Sequence, residues 1–385
     1  MDAGMGIRIR MNRGQRRHGV VRICLWGLAL CLAAGAGRVR GEEEWAQAVR
    51  PWPWSFPRDH GAHPQFRTEW WYFTGNLRDA EGIRHGYQLT FFRHGVRKEA
   101  ARPHNPWSVR DVFLAHMAVA DGASGRFRWA ERASRAGPGL AGASSEGMAV
   151  WVLDWSARMS GGEIRLEART AHVSLELTLR PRRAVVLHGE HGLSRKGPAQ
   201  GQASHYVSLT DLETAGTLRL GDRSVAVAGT SWFDQEFGSN QLTPEQVGWD
   251  WFSLHISDGH DLMIYLLRLQ DGSLEPASSG TLVAPDGSWR HLRLPDIRVS
   301  VLDRWKSPRS GGTYPSRWRI EIPSARLDLD VAPLLPDQEL VTEGSTGVTY
   351  WEGMVLGRGR SQGQPATCEG YVELTGYAGG IGGLF

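Results

Sequence analysis

At 385 residues the chain is long for one domain and comfortable for two, and its 41% hydrophobic content is enough to bury real cores, which excludes a disordered chain and a membrane-embedded bundle. Its 44 basic and 41 acidic residues give +3 overall, but six arginines and one acid lie in residues 1–36, so the remainder carries 38 basic and 40 acidic residues, a net of −2. No basic field is left that would attract nucleic acid or an anionic membrane surface.

Residues 1–36 read as a secretory signal peptide. Arg8, Arg10, Arg13, Arg16, Arg17 and Arg22 precede an apolar run from Ile23 to Ala34, and Ala34-Gly35-Ala36 supplies small residues for cleavage. The run is too short to span a bilayer by itself. The expectation is an exported protein of the periplasm or cell envelope with its leader removed; an uncleaved anchor is the alternative. Arg16-Arg17 hints at twin-arginine export, although His18-Gly19 departs from that pattern, and Leu30 before Cys31 is too large for a good lipoprotein signal. Cys24 and Cys31 fall in the leader. The remaining Cys368 can form neither an internal disulfide nor a cysteine-based zinc site.

Residues 37–62 read as an extended lead-in, punctuated by Pro51-Trp52-Pro53-Trp54-Ser55-Phe56-Pro57, since proline breaks helices and sheet ladders. Beyond it come short apolar or alternating runs rich in Val, Thr, Tyr, Trp and Phe, separated by Gly, Asp, Asn and Pro. Gly86–Arg93, Val112–Ala120, Glu163–Leu179, Ser204–Leu209, Ser224–Val227, Leu262–Leu269, Trp318–Ile322 and Gly370–Leu374 are examples. This spacing predicts strands of a sandwich or barrel, hence an all-β fold. The Gly/Ala/Ser-rich stretch Gly137–Ser145 reads as a loop.

The chain also repeats itself. Trp70, Tyr72, Phe73 and Thr74 align with Trp249, Trp251, Phe252 and Ser253 at an offset of 179; after a turn at Asp79 or Asp258-Gly259, Phe92-Arg93 aligns with Leu267-Arg268 at an offset of 175. With a side-chain period of two, Trp70, Tyr72 and Thr74 share one face, as do Trp249, Trp251, Ser253 and His255. Two related β-domains are predicted, 63–238 and 239–385, with the junction near Gly229–Thr243.

The usual catalytic signatures are missing: there is no GxSxG, HExxH or phosphate loop. Gly137-Pro138-Gly139-Leu140-Ala141-Gly142 fits GxGxxG on paper but lacks the flanking strand and helix. His188 and His191 read as surface residues at a strand end, and no metal or cofactor is expected. The strongest local cluster is Gly229–Gly238. In an extended strand Trp232, Asp234 and Glu236 face one way, and Phe233, Gln235 and Phe237 the other. A carboxyl beside a Trp, its pKa raised by burial, suits protonation of an alkene and stabilisation of the cation that forms. The competing reading gives these carboxylates backbone amides to bind. In the second cluster, Gly248–His255, Asp250 sits between Trp249 and Trp251 on the opposite pleat face. The third is Glu69-Trp70-Trp71-Tyr72-Phe73. The chain has 17 Trp, which suit the walls of a pocket for flat apolar ligands as well as a core.

The runs Phe56–Pro64, Arg67–Leu77 and Gly86–Arg93, with Ser231–Gly238, Gly248–Leu254, Tyr350–Gly353 and Gly370–Tyr377, resemble the ordered blocks of the AttH and carotenoid 1,2-hydratase-like lipocalin-like family over about residues 56 to 380. The resemblance implies two tandem lipocalin-like (calycin) β-barrels. One branch of that family hydrates a terminal isoprenoid double bond without metal or organic cofactor; another is exported and accompanies ABC-type membrane permeases. Where the family pattern has Trp-x-Asp-His-Glu-Phe-Gly, this chain has Gln235 in place of the His, and Gln cannot exchange a proton near neutral pH.

Three readings follow. The first is an exported carrier of a hydrophobic small molecule, lined by Glu69, Trp70, Tyr72, His205, Tyr206, Trp249, Trp251 and His255 and serving an ABC-type permease. The second is a cofactor-independent hydratase or cyclase. In it Asp234 or Glu236 protonates an isoprenoid alkene, Trp232, Trp249 and Trp251 stabilise the cation, and His205, Tyr206 or Asp250 holds the water. The third is a structural envelope partner, which barrels filled by their own side chains would favour.

Overall fold

Alternation of apolar side chains sets which way each strand faces. In the computed structural model, which describes residues 44–98, 109–240 and 242–381, the region Glu44–Phe385 forms one compact unit. The leader expected from the sequence, with Cys24 and Cys31, lies outside the described residues. Helix is confined, among the described residues, to three single turns such as Arg58–His60, and all else of regular structure is strand.

Two antiparallel sheets carry the fold. The first has thirteen strands, of which the Trp70 strand (Thr68–Arg78) is first and the Asp234 strand (Arg223–Gly238) last in chain order; the second has ten, of which the Trp251 strand (Gln246–Ile256) is first and the Glu373 strand (Gln364–Leu374) last. Their strand orders correspond. In each, a first hairpin pairs with the last strand, which pairs with the one before it: the Tyr206 strand (Ala203–Leu220) in the first sheet and the Glu352 strand (Thr349–Ser361) in the second. The hairpin registers match too, with Trp70 opposite Phe92 and Trp249 opposite Leu267. The turns are closed as their sequences suggest: Asp79 Oδ1 accepts the Glu81 and Ile83 amides at 3.1 and 2.8 Å, and Asp258 Oδ1 accepts the His260 amide at 3.1 Å. The chain is thus a tandem of two lipocalin-like, barrel-like β-bodies.

Each body is filled by its own side chains. Trp71, Phe73, Leu77, Leu89, Phe91 and Phe233 belong to the first core, and Phe252, Leu254, Ile264, Trp318, Trp351 and Val372 to the second. Burying each such side chain contributes roughly 1.5–3 kcal/mol. Outer strands such as Glu163–Arg169 alternate buried and exposed, whereas the Trp70 and Trp251 strands are buried on both faces. The second face of these central strands is covered by the other body. There Tyr72, Tyr206 and Trp232 of the first sheet meet Trp251, Met263, Tyr265, Met354 and Tyr371 of the second.

Two local expectations are corrected. Gly137–Ser145 is not all loop: Ala141–Ala143 forms a short strand on Ala149–Val152, with Gly142 leaving room for the ring of its cross-strand partner Trp151. His188 is not at the surface. It is 1% exposed and bridges Thr281 and Ser208, at 2.8 and 2.5 Å; burial holds its ring well below the usual imidazole pKa.

Candidate active site

The space that could hold a ligand lies between the two bodies rather than inside either. A recess there is walled largely by aromatic and aliphatic side chains. Trp70 and Tyr72 stand on one side, Trp249 and Trp251 on the other, with Phe92, Leu242, Leu267 and Val348 between them. Tyr72 meets Trp251 edge-on at 5.1 Å. Into this apolar space project four carboxyl groups, Asp234, Glu236, Glu352 and Glu373, and one ammonium, Lys196.

Asp234 is 3% exposed and surrounded by donors. Trp232 Nε1 donates to Oδ1 at 2.6 Å; Ser208 Oγ donates to the same oxygen and Tyr206 Oη to Oδ2. Trp251 Nε1 in turn donates to Tyr206 Oη at 3.0 Å, which ties the second sheet to the acid. Burial raises the Asp234 pKa to about 7 despite these donors, with the neighbouring Glu236 charge adding to the rise. Near neutral pH Asp234 therefore holds a proton it can give up, and the donors stabilise the anion left behind.

Glu236 is neutralised differently. Lys196 Nζ lies 3.0 Å from its Oε1, and Ser204 Oγ donates to the same oxygen. The ammonium also sits 3.9 Å from the ring centre of Tyr265, a cation–π contact.

The second wall carries its own acids. Glu352 and Glu373 are direct cross-strand partners. Burial raises the Glu373 pKa to about 7, opposed by a Trp249 Nε1 hydrogen bond at 3.1 Å, and burial together with the Glu373 charge lifts Glu352 well above the usual range. His116 closes one side, its ring within 2.7 Å of Tyr350 Oη and 2.8 Å of Ser345 Oγ. Burial lowers its pKa to about 3, so it stays neutral.

Of the residues singled out from the sequence, Trp70, Tyr72, Tyr206, Asp234, Glu236, Trp249 and Trp251 line the recess together, and Trp232 stands behind Asp234. The others lie elsewhere. Strand alternation turns Asp250 away to Arg268 and to Tyr377, each at 3.0 Å. Glu69 faces the end of the first body, where it binds the His63 amide and ring at 2.7 and 2.8 Å. His205 packs among Trp52, Phe66 and Phe237. His255 lies against Trp232 and pairs with Asp261 at 2.9 Å. Lys196, His116, Glu352, Glu373 and Tyr265 were not singled out. A signal existed for the two glutamates: each is flanked by apolar or small residues, as in Tyr350-Trp351-Glu352-Gly353-Met354 and Tyr371-Val372-Glu373-Leu374.

Two lipocalin-like bodies meeting over a shared, acid-lined recess define the class of protein. The chain belongs to the AttH-like family, whose model matches residues 47–377. It is similar to the AttH structure from Nitrosomonas europaea, with 33% identity and a TM-score of 0.77 over 86% of this chain and 99% of that one. It shares its fold with kievitone hydratase from Nectria haematococca, with 16% identity and a TM-score of 0.65 over 88% of this chain and 97% of that one. CghA in complex with Sch210972 has the same fold at 12% identity and a TM-score of 0.52, over 89% and 98% of the respective chains. No curated protein sequence matched the chain.

Proposed function

We propose that this protein is a cofactor-independent hydro-lyase that adds water to a double bond of an uncharged, hydrophobic, isoprenoid-like molecule held between the two bodies. The observation that carries the reading is Asp234: a buried carboxyl with a pKa of about 7, at the edge of an aromatic recess, whose conjugate base already has three donors. Burying a carboxyl in this way is costly, and a site that only carried lipid would not need it. The Asp234 proton goes to one alkene carbon as its O–H bond breaks and a C–H bond forms. The cation left on the other carbon is stabilised by the faces of Trp251 and Tyr72. Water then forms the C–O bond and loses a proton. Gln235 does not disturb this scheme, since its side chain points away, to the Gly61 carbonyl at 2.9 Å. The fold shared with kievitone hydratase supports a hydratase scaffold.

The test is incubation of purified protein with farnesol, a neutral alkene with a terminal prenyl group, and mass spectrometry of the products. A product heavier by one water, absent with Asp234→Asn, supports the reading; unchanged farnesol with the wild type overturns it. Carriage of a hydrophobic molecule to a membrane permease is the second reading, favoured by the largely apolar walls, and farnesol recovered bound but unchanged would support it.

A further inference from the structure

We infer that Glu352 and Glu373 act together as the general base that receives the proton of the attacking water, on the wall opposite Asp234. The inference rests on the hydratase reading and assigns the half of the reaction that Asp234 leaves open.

The internal repeat points to these two residues. Tyr72 and Trp251 are equivalent at the offset of 179. Tyr72 is paired across strands with Asp234, and Trp251 with Glu373. Glu373 therefore occupies in the second body the position that Asp234 occupies in the first. The next strand over places Ser208 opposite Asp234, but Glu352 opposite Glu373. The first acid is given a donor and the second a competitor. Side chains directly opposite on antiparallel strands have Cβ atoms roughly 4.5–5.5 Å apart, and two buried carboxyls that close cannot both ionise. The pair thus keeps one proton and one free carboxylate.

The remaining valences point into the recess. Trp249 Nε1 fixes Glu373 at 3.1 Å. Glu352 is 1% exposed; its carboxyl and the facing Tyr72 hydroxyl interact with each other, and neither its Oε1 nor that hydroxyl has a further hydrogen-bond partner among the described residues. Lys196 is engaged with Glu236 and does not neutralise the pair. A buried acceptor and a buried hydroxyl side by side are suited to hold a water molecule. As the water oxygen bonds to the cationic carbon, its O–H breaks and the proton joins the pair, which becomes doubly protonated. Exchange through the open side of the recess then returns one proton to Asp234, so the cycle needs no other reactant.

The experiment follows farnesol in deuterated water by mass spectrometry. Deuterium in recovered farnesol reports protonation and its reversal; added water reports capture. Glu373→Gln and Glu352→Gln are expected to keep deuterium entry while water addition falls about a hundredfold or more, whereas Asp234→Asn loses both. Circular dichroism checks that each variant is folded. Should the glutamine variants not fold, Tyr72→Phe, which removes one oxygen, takes their place, with an expected loss of about tenfold in water addition alone. Water addition at the wild-type rate in these variants, or loss of deuterium entry along with it, overturns the base pair and leaves the hydratase standing. Wild-type protein that neither labels nor hydrates farnesol overturns both.

Discussion

The two walls of the recess are built from equivalent strands and treat their acids in opposite ways. On the first wall Asp234 is wrapped by Tyr206, Ser208 and Trp232. On the second, Glu373 has one indole donor and a second carboxyl directly across the ladder. The same scaffold position thus yields an acid whose anion is solvated in advance, and an acid held beside a competitor. One side chain on the neighbouring strand, Ser208 or Glu352, decides which.

The sharpest way to break this contrast is Asp234→Asn, which keeps the shape and removes the proton. Turnover is expected to fall by about a hundred- to ten-thousandfold, measured on farnesol, with the melting curve still cooperative. The same variant sharpens the electrostatics. A carboxyl whose folded pKa is about 7, above an unfolded value near 4, binds a proton in the folded state across that window, so its contribution to stability falls as pH rises from about 4 to 7 and is constant above. The unfolding free energy of wild type minus that of Asp234→Asn, from urea titrations, should therefore drop by about 4 kcal/mol between those pH values. Buried neutral histidines such as His116 push the other way below pH 6.5, and the subtraction removes them.

Lys196→Met tests the third mode of neutralisation. It leaves Glu236 as a buried charge without its ammonium and is expected to cost about 3 kcal/mol or more at pH 8, by urea titration; a cost below about 1 kcal/mol would show that the ion pair is not what holds Glu236. Ligand charge probes all the carboxyls together. At pH 8 farnesol should bind about tenfold or more tightly than farnesoic acid, roughly 1.4 kcal/mol, by quenching of tryptophan fluorescence; equal affinity would count against an acid-lined recess. The smallest effect is expected of Asp250→Asn. Its partners are Arg268 and Tyr377 outside the recess, so turnover should stay at the wild-type level while stability falls by about 1–3 kcal/mol.

Much of this was legible in the chain because it is local. A period of two placed Trp70 with Tyr72, and Trp249 with Trp251, on single faces, and put Asp234 with Glu236; the matching registers bear out the repeat. The same period separates His205 from Tyr206, neighbours in sequence that end on opposite sides of one strand, and it turned Asp250 and Glu69 away from the recess. What the chain did not disclose depends on which body covers which face. Lys196 reaches Glu236 from a segment 40 residues earlier, and His116 meets Tyr350 across 234 residues. No local pattern encodes such meetings. Nor does periodicity tell whether an aromatic face closes a barrel or borders a cavity: Trp71 and Trp70 are adjacent in sequence, and one lies in a core while the other lines the recess.

That the recess lies between the bodies bears on how such a site can arise. A single half, alone, would show its wall to solvent, and two identical halves facing one another as a homodimer would present two identical walls. Any residue favourable on one wall would be imposed on the other, so an acid with its donors and a carboxyl pair could not both exist. Joining the halves in one chain lifts that constraint. Ser208 and Glu352, free to differ, record the division of labour that tandem fusion permits and a symmetric assembly forbids.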